Sequence, residues 1–182
     1  MKHILPVLTV TALAAAASAQ VAPAPAAKQS LSYNRVVASW VNTSGADSIS
    51  GVSFLGQAKL GGGLYVAAAT YDLEGGEDVA DGNTAALGFA YSLPSFVGVS
   101  TDLNLEVGYK STAVGLRSLI GGGVELNVGY ARGAGSDLDD TFSVGASYNL
   151  GFMVKGLSLN ASYASQSGAG VDITSIGIGY NF

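Results

Sequence analysis

Cysteine is absent, which excludes disulfides, thiolate catalysis and cysteine-ligated metal sites. Charge is scarce too. Only 12% of the residues are charged, where an average soluble domain carries about 25%, so much of the usual solvating surface is missing. Past the N-terminal segment no apolar run reaches the ~18 residues of a helical membrane span. Basic residues number 8 against 13 acidic ones, so nucleic acid is not an expected partner. The one histidine is His3, inside what reads as a removable leader.

What is present is a chain of 182 residues with 26 glycines, long enough for one domain. Met1-Lys2-His3 places a positive charge at the start, and Ile4 to Ala17 form an apolar stretch of secretory length. Ala17-Ser18-Ala19 is a small-x-small cleavage pattern, so residues 1–19 are expected to be a signal peptide. Residues 20–29 are rich in Ala and Pro without alternation and are expected to form a periplasmic tether. Residues 30–182 are the expected folded domain.

Within that domain the dominant signal is a period of two. Leu103, Leu105, Val107 and Tyr109 alternate with Asp102, Asn104, Glu106 and Gly108. Val124, Leu126, Val128 and Tyr130 alternate with Glu125, Asn127, Gly129 and Ala131. Such spacing gives strands with one apolar face, not helices. Turn residues divide the pattern into ten strands, near 31–42, 48–60, 64–74, 83–93, 102–110, 113–120, 124–131, 141–150, 157–164 and 171–182. If 113–120 were a loop, the count would fall to eight. Connections alternate between charge-poor turns and longer loops rich in Asp, Ser and Gly, as in an up-and-down meander with two different ends.

Alternation alone does not say which face is inside. A soluble lipocalin-like barrel turns its apolar face inward around a ligand; a membrane barrel turns it outward to lipid. Three features favour the membrane barrel. The polar faces are Gly, Ala, Ser and Asn, too weakly polar to solvate a soluble protein. Trp40, Tyr71, Tyr109, Tyr130 and Tyr163 end strands running one way, and Tyr91, Tyr148 and Tyr180 end strands running the other, which suggests two aromatic girdles. Most strands also match the ~9–11 residues that cross a bilayer at a tilt. The expected fold is all-β: a transmembrane up-and-down antiparallel β-barrel.

Ile176-Gly177-Ile178-Gly179-Tyr180-Asn181-Phe182 resembles the terminal strand of Gram-negative outer-membrane proteins, which end in Phe after alternating apolar residues. The chain after the leader resembles small outer-membrane barrels of the OmpX and OmpA-transmembrane type, and Leu31-Ser32-Tyr33-Asn34 is similar to the first strand of some porin-like barrels. The resemblance implies an outer-membrane location, contact with lipid and lipopolysaccharide, and recognition of Tyr180 and Phe182 by the barrel-assembly machinery. It departs from the OmpX pattern in strand number, eight there against ten here.

No catalytic residue, cofactor or dedicated metal site is expected. Outer-membrane barrel enzymes resemble one another in using a histidine base, and the chain after the leader has none; no serine–lysine motif replaces it. The polar face does hold one charged constellation. With Ser111-Thr112 as a two-residue turn, Lys110 faces Ala113 and Glu106 falls opposite Arg117. With Gly121-Gly122-Gly123 as a turn, Ile120 pairs Val124, setting Arg117 opposite Asn127 and diagonal to Glu125. Glu106, Arg117, Glu125 and Asn127 thus form an expected luminal cluster, either an ion-pair plug or a charged constriction.

Two points stay open in the sequence. Leu31 and Tyr33 put odd residues of strand one on the lipid face, whereas Val36, Ala38 and Trp40 put even ones there; a bulge near Asn34 or Arg35 would reconcile them. The acidic groups Glu74, Glu77, Asp78 and Asp81, and Asp137, Asp139 and Asp140, are either solvated loop tips or divalent-cation bridges to lipopolysaccharide. The function expected is a non-catalytic structural or surface-interaction role in the envelope, with a narrow nonspecific channel as the alternative.

Overall fold

The computed structural model describes residues 31–182 apart from 46, 47, 76, 77, 110, 134–139, 168 and 169. The expected leader and tether, and Glu77, Asp137 and Asp139, lie outside the described residues.

Ten strands follow one another: β1 (Arg35–Ser44), β2 (Ser50–Gly61), β3 (Leu64–Gly75), β4 (Asp78–Ser92), β5 (Ser100–Gly108), β6 (Ser111–Ile120), β7 (Val124–Gly133), β8 (Thr141–Asn149), β9 (Leu157–Gln166) and β10 (Asp172–Asn181). Each pairs antiparallel with its sequence neighbour, and β1 pairs β10 to close the barrel. Closure removes the sheet edges that hydrocarbon could not hydrogen-bond. Residues 113–120 belong to a full strand, so the count is ten. β1 begins and β10 ends at one end of the barrel, here the terminal end; the opposite end is the loop end.

The wall is apolar outside and polar or small inside. Large side chains such as Trp40, Phe54, Leu105, Val128, Phe142 and Ile176 are exposed on the outer face, a continuous surface that lipid covers and water would not. Asn104, Glu125, Ser143, Ser158 and Asn160 are buried inside. The turn Gly61-Gly62-Gly63 carries φ values of 113°, 58° and 88°, a left-handed run that only glycine takes without strain.

The structure corrects four expectations. First, β1 starts at Arg35 and pairs β2 and β10 without a break in register, so no bulge exists near Asn34 or Arg35. Leu31 and Tyr33 instead precede the strand and are buried inside the barrel, while Val36 and Trp40 face out. Second, β4 begins at Asp78, not near 83, and pairs β3 as far as Gly75↔Asp78. The expected loop from Gly75 to Gly82 is largely ladder, because above the bilayer the outward face needs no apolar residues and the alternation fades. Third, Ser111 and Thr112 belong to β6 and not to a turn, with Gly108 opposite Ser111. Arg117 therefore faces Asp102, and Glu106 faces Ala113. Fourth, Tyr71 is 3% exposed and points inward, not to the lipid face.

Candidate functional site: the lumen

Inside, β3 contributes what no other strand does, two inward tyrosines. Tyr65 lies opposite Gly88 and Tyr71 opposite Gly82 on β4. A Cβ at Gly82 would come within 2.5 Å of the Tyr71 hydroxyl, and one at Gly88 would overlap the Tyr65 ring. The missing side chains on β4 are what give both rings room.

At the terminal end a charged and aromatic network fills one side of the lumen. Arg117 and Glu125 are both fully buried. The Arg117 Nε donates to Glu125 Oε1 at 2.6 Å and Nη2 donates to Oε2 at 3.1 Å, a bidentate pair. Arg117 Nη1 donates at 3.0 Å to the Ser32 carbonyl, which ties the segment before β1 to β6. The guanidinium carbon lies 4.8 Å from the centroid of the Tyr33 ring, a cation–π contact. Tyr33 stacks on Tyr65 with centroids 4.7 Å apart. Its hydroxyl lies 2.9 Å from Asp102 Oδ2 and 2.7 Å from Asn104 Oδ1, and the Tyr65 hydroxyl donates to Glu106 Oε1 at 2.6 Å. Leu31 and Leu119 pack against the two rings. Residues 31–34 are thus a strap running into the lumen, held by Arg117 and by the β3–β5 wall.

The loop end is lined by other chemistry. Val41, Ile49, Tyr71, Leu73, Ala164, Val171 and Ile173 form one buried cluster drawn from β1, β3, β9, β10 and the residues just before β2 and β10. Ile49 is tied back to β1: the Thr43 N–H donates to the Ile49 carbonyl at 2.9 Å, and the Ile49 N–H to Thr43 Oγ1 at 3.1 Å.

Of the residues that sequence reasoning grouped, Arg117 and Glu125 meet directly, while Asn127 is paired across from Arg117 in register. Glu106 stands opposite Ala113, not Arg117, and accepts from the Tyr65 hydroxyl. Trp40, Tyr91, Tyr109, Tyr130, Tyr148 and Tyr163 all stand on the outer face, as do Tyr180 and Phe182. Asp72 and Asp81 face each other across β3 and β4 at the loop end, both exposed. Asp140 accepts from the Tyr130 hydroxyl and lies 3.9 Å from Arg132. The sequence pattern puts Asp102 on the polar face but leaves it out of the cluster, and it misses Tyr33, Tyr65 and Arg35 as luminal groups. For Arg35 the signal was available: if Val36, Ala38 and Trp40 face lipid, Arg35 faces the lumen.

An apolar outer wall, a closed ladder and a polar interior define a ten-stranded transmembrane up-and-down β-barrel. No family model and no curated protein matches the chain. Among solved structures it is similar to the KdgM porin in complex with disordered oligogalacturonate, at 12% identity over 80% of this chain and 99% of that one, with a TM-score of 0.47. It is also similar to the N-terminal β-barrel domain of Pseudomonas aeruginosa OprF, at 16% identity over 82% and 98% of the two chains, with a TM-score of 0.36. A third is Ail, the attachment invasion locus protein of Yersinia pestis, at 12% identity over 81% and 95%, with a TM-score of 0.33.

Proposed function

We propose that this chain is a non-catalytic barrel of the bacterial outer membrane with a structural role in the envelope, its lumen shut at both ends. The observation that carries the reading is the strap: Tyr33 and Ser32 are held inside the barrel by the Arg117–Glu125 pair. The apolar cluster at the loop end supports it independently, since a pore lined there by Leu73, Ile49 and Ile173 would exclude water and ions. The lack of an imidazole base after the leader supports the non-catalytic part. Contact with lipid and lipopolysaccharide, and capture of the terminal strand through Tyr180 and Phe182 during assembly, are proposed partners on the resemblance described above.

A narrow channel for ions or very small solutes is the second reading. It is favoured by luminal polar atoms at the terminal end that have no hydrogen-bond partner among the described residues, including those of Asn127, Ser147 and Asn149. Planar-bilayer recordings of the folded protein separate the two. The structural reading expects silence from the parent and from Arg117→Ala, because the loop-end cluster still closes the lumen. Defined, charge-selective steps in the parent would overturn it and leave the channel.

A further inference from the structure

Two guanidinium groups are fully buried in the lumen, and only one is paired. Arg117 is neutralised by both oxygens of Glu125. Arg35 is 0% exposed, and its Nε, Nη1 and Nη2 have no hydrogen-bond partner among the described residues. The described ion pairs are Arg117–Glu125 and Arg132–Asp140, so no described carboxylate lies within 4.0 Å of Arg35. A buried guanidinium without hydrogen-bond partners is unfavourable, and its planar fork of donors matches the oxygens of an oxyanion.

The residues flanking Arg35 along the wall are uncharged, while Arg117, Glu125 and Glu106 act on it electrostatically across the lumen. Gln57 of β2 and Asn181 of β10 lie directly opposite Arg35 in register; their unmatched atoms, Gln57 Oε1 and Asn181 Oδ1, are acceptors, and the Asn181 Nδ2 already donates to the Gly156 carbonyl. Next along the wall is Ser158, with Asn149 opposite it on β8. The Ser158 hydroxyl and the Asn149 Nδ2, both donors, are likewise unmatched among the described residues. Gly179 sits between Asn181 and this pair, where a Cβ would come within 2.8 Å of the Ser158 Oγ. The luminal carboxylates stand elsewhere, on β5 and β7, and are largely occupied: Glu125 by Arg117, Asp102 by the Tyr33 hydroxyl, and one oxygen of Glu106 by Tyr65.

We propose that Arg35, with the donors of Ser158 and Asn149, forms a luminal site for one small oxyanion of the sulfate, phosphate or carboxylate class. The site lies at the terminal end, away from the loop-end cluster, and it does not depend on whether the lumen conducts.

Inorganic sulfate is the probe. Equilibrium dialysis of the folded protein in detergent, with labelled sulfate at fixed ionic strength, is expected to show one saturable site per chain. Arg35→Gln is expected to weaken binding at least tenfold and Arg35→Lys less. Arg117→Lys, which keeps charge at the other guanidinium, is expected to leave the affinity within twofold. If Arg35→Gln does not fold, Ser158→Ala supplies the test through a severalfold loss, since it keeps Arg35 and removes a donor hydroxyl. No saturable binding by the parent would overturn the site and leave the free oxygen of Glu106 as the counter-charge. Equal sulfate binding by parent and folded Arg35→Gln, or by parent and Ser158→Ala, would overturn it as well.

Discussion

The two ends of the lumen are packed by opposite means. At the loop end, Tyr71, Leu73 and their neighbours form an apolar cluster to which Ile49 and Val171, just before β2 and β10, contribute. At the terminal end, the lumen holds an ion pair, a stacked tyrosine pair and a strap of the chain itself. The difference lies in how each arrangement fails. An apolar cluster loses dispersion contacts in proportion to the atoms removed. A buried ion pair loses little when both partners go together and much when one is left behind.

The largest effect is therefore expected from Arg117→Ala. It strands the Glu125 carboxylate inside the barrel and releases Ser32 and the Tyr33 ring, and it should destabilise the fold by about 3–5 kcal/mol. Urea unfolding in lipid vesicles, followed by the heat-dependent gel shift of folded barrels, measures it. The double variant Arg117→Met with Glu125→Leu sharpens the comparison, because it should recover most of that loss. If the double variant were as unstable as the single one, the terminal end would be held by packing like its counterpart.

Leu73→Ala tests the other end. Leu73 is fully buried in the loop-end cluster, and its truncation should cost about 2–5 kcal/mol. No charge takes part in this cluster, so the loss should be the same at low and high salt. The same urea titrations at two ionic strengths check it; a loss that shrank in salt would show that charge outside the cluster is involved.

Much of the architecture was legible because lipid imposes a strict rule on the wall. Wherever a strand crosses hydrocarbon, its outward residues must be apolar, so β5, β7 and β8 declare face and extent in one reading. Where the ladder rises past the bilayer, as at Asp78 to Asn83 of β4, that rule lapses and the strand reads as a loop. Register is legible only in part. Alternation fixes a pairing modulo two, so it puts Arg117 on the correct face but does not choose between Glu106 and Asp102 as the residue opposite it. Ser111-Thr112 carries none of the Asn, Asp or Gly that marks a tight hairpin. The Arg117–Glu125 meeting survived because the glycine turn on the other side of β6 was unambiguous. Tyr71 was misplaced because β3 is apolar on both faces, and Leu64 and Val66 compete with Tyr65 and Leu73 as the lipid-facing set.

The arbiter for β3 lies on its neighbour. Each inward tyrosine has a glycine across the ladder, Tyr65 with Gly88 and Tyr71 with Gly82, one pair toward each end of the barrel. Adding a methyl group to each glycine compares the two closures with the same chemistry. At Gly82 the new Cβ meets mainly the tip of the ring, 2.5 Å from the hydroxyl and 2.8 Å from Cζ, beside an apolar cluster. At Gly88 it would overlap the body of a ring that is pinned on both sides, stacked on Tyr33 and hydrogen-bonded to Glu106. Overpacking typically costs about 1–3 kcal/mol. Gly88→Ala should fall toward the upper end of that range and Gly82→Ala toward the lower. The same unfolding titration reads both. Equal losses would mean that the charged network yields as readily as the apolar one, and the contrast between the two ends would be one of composition without a contrast in rigidity.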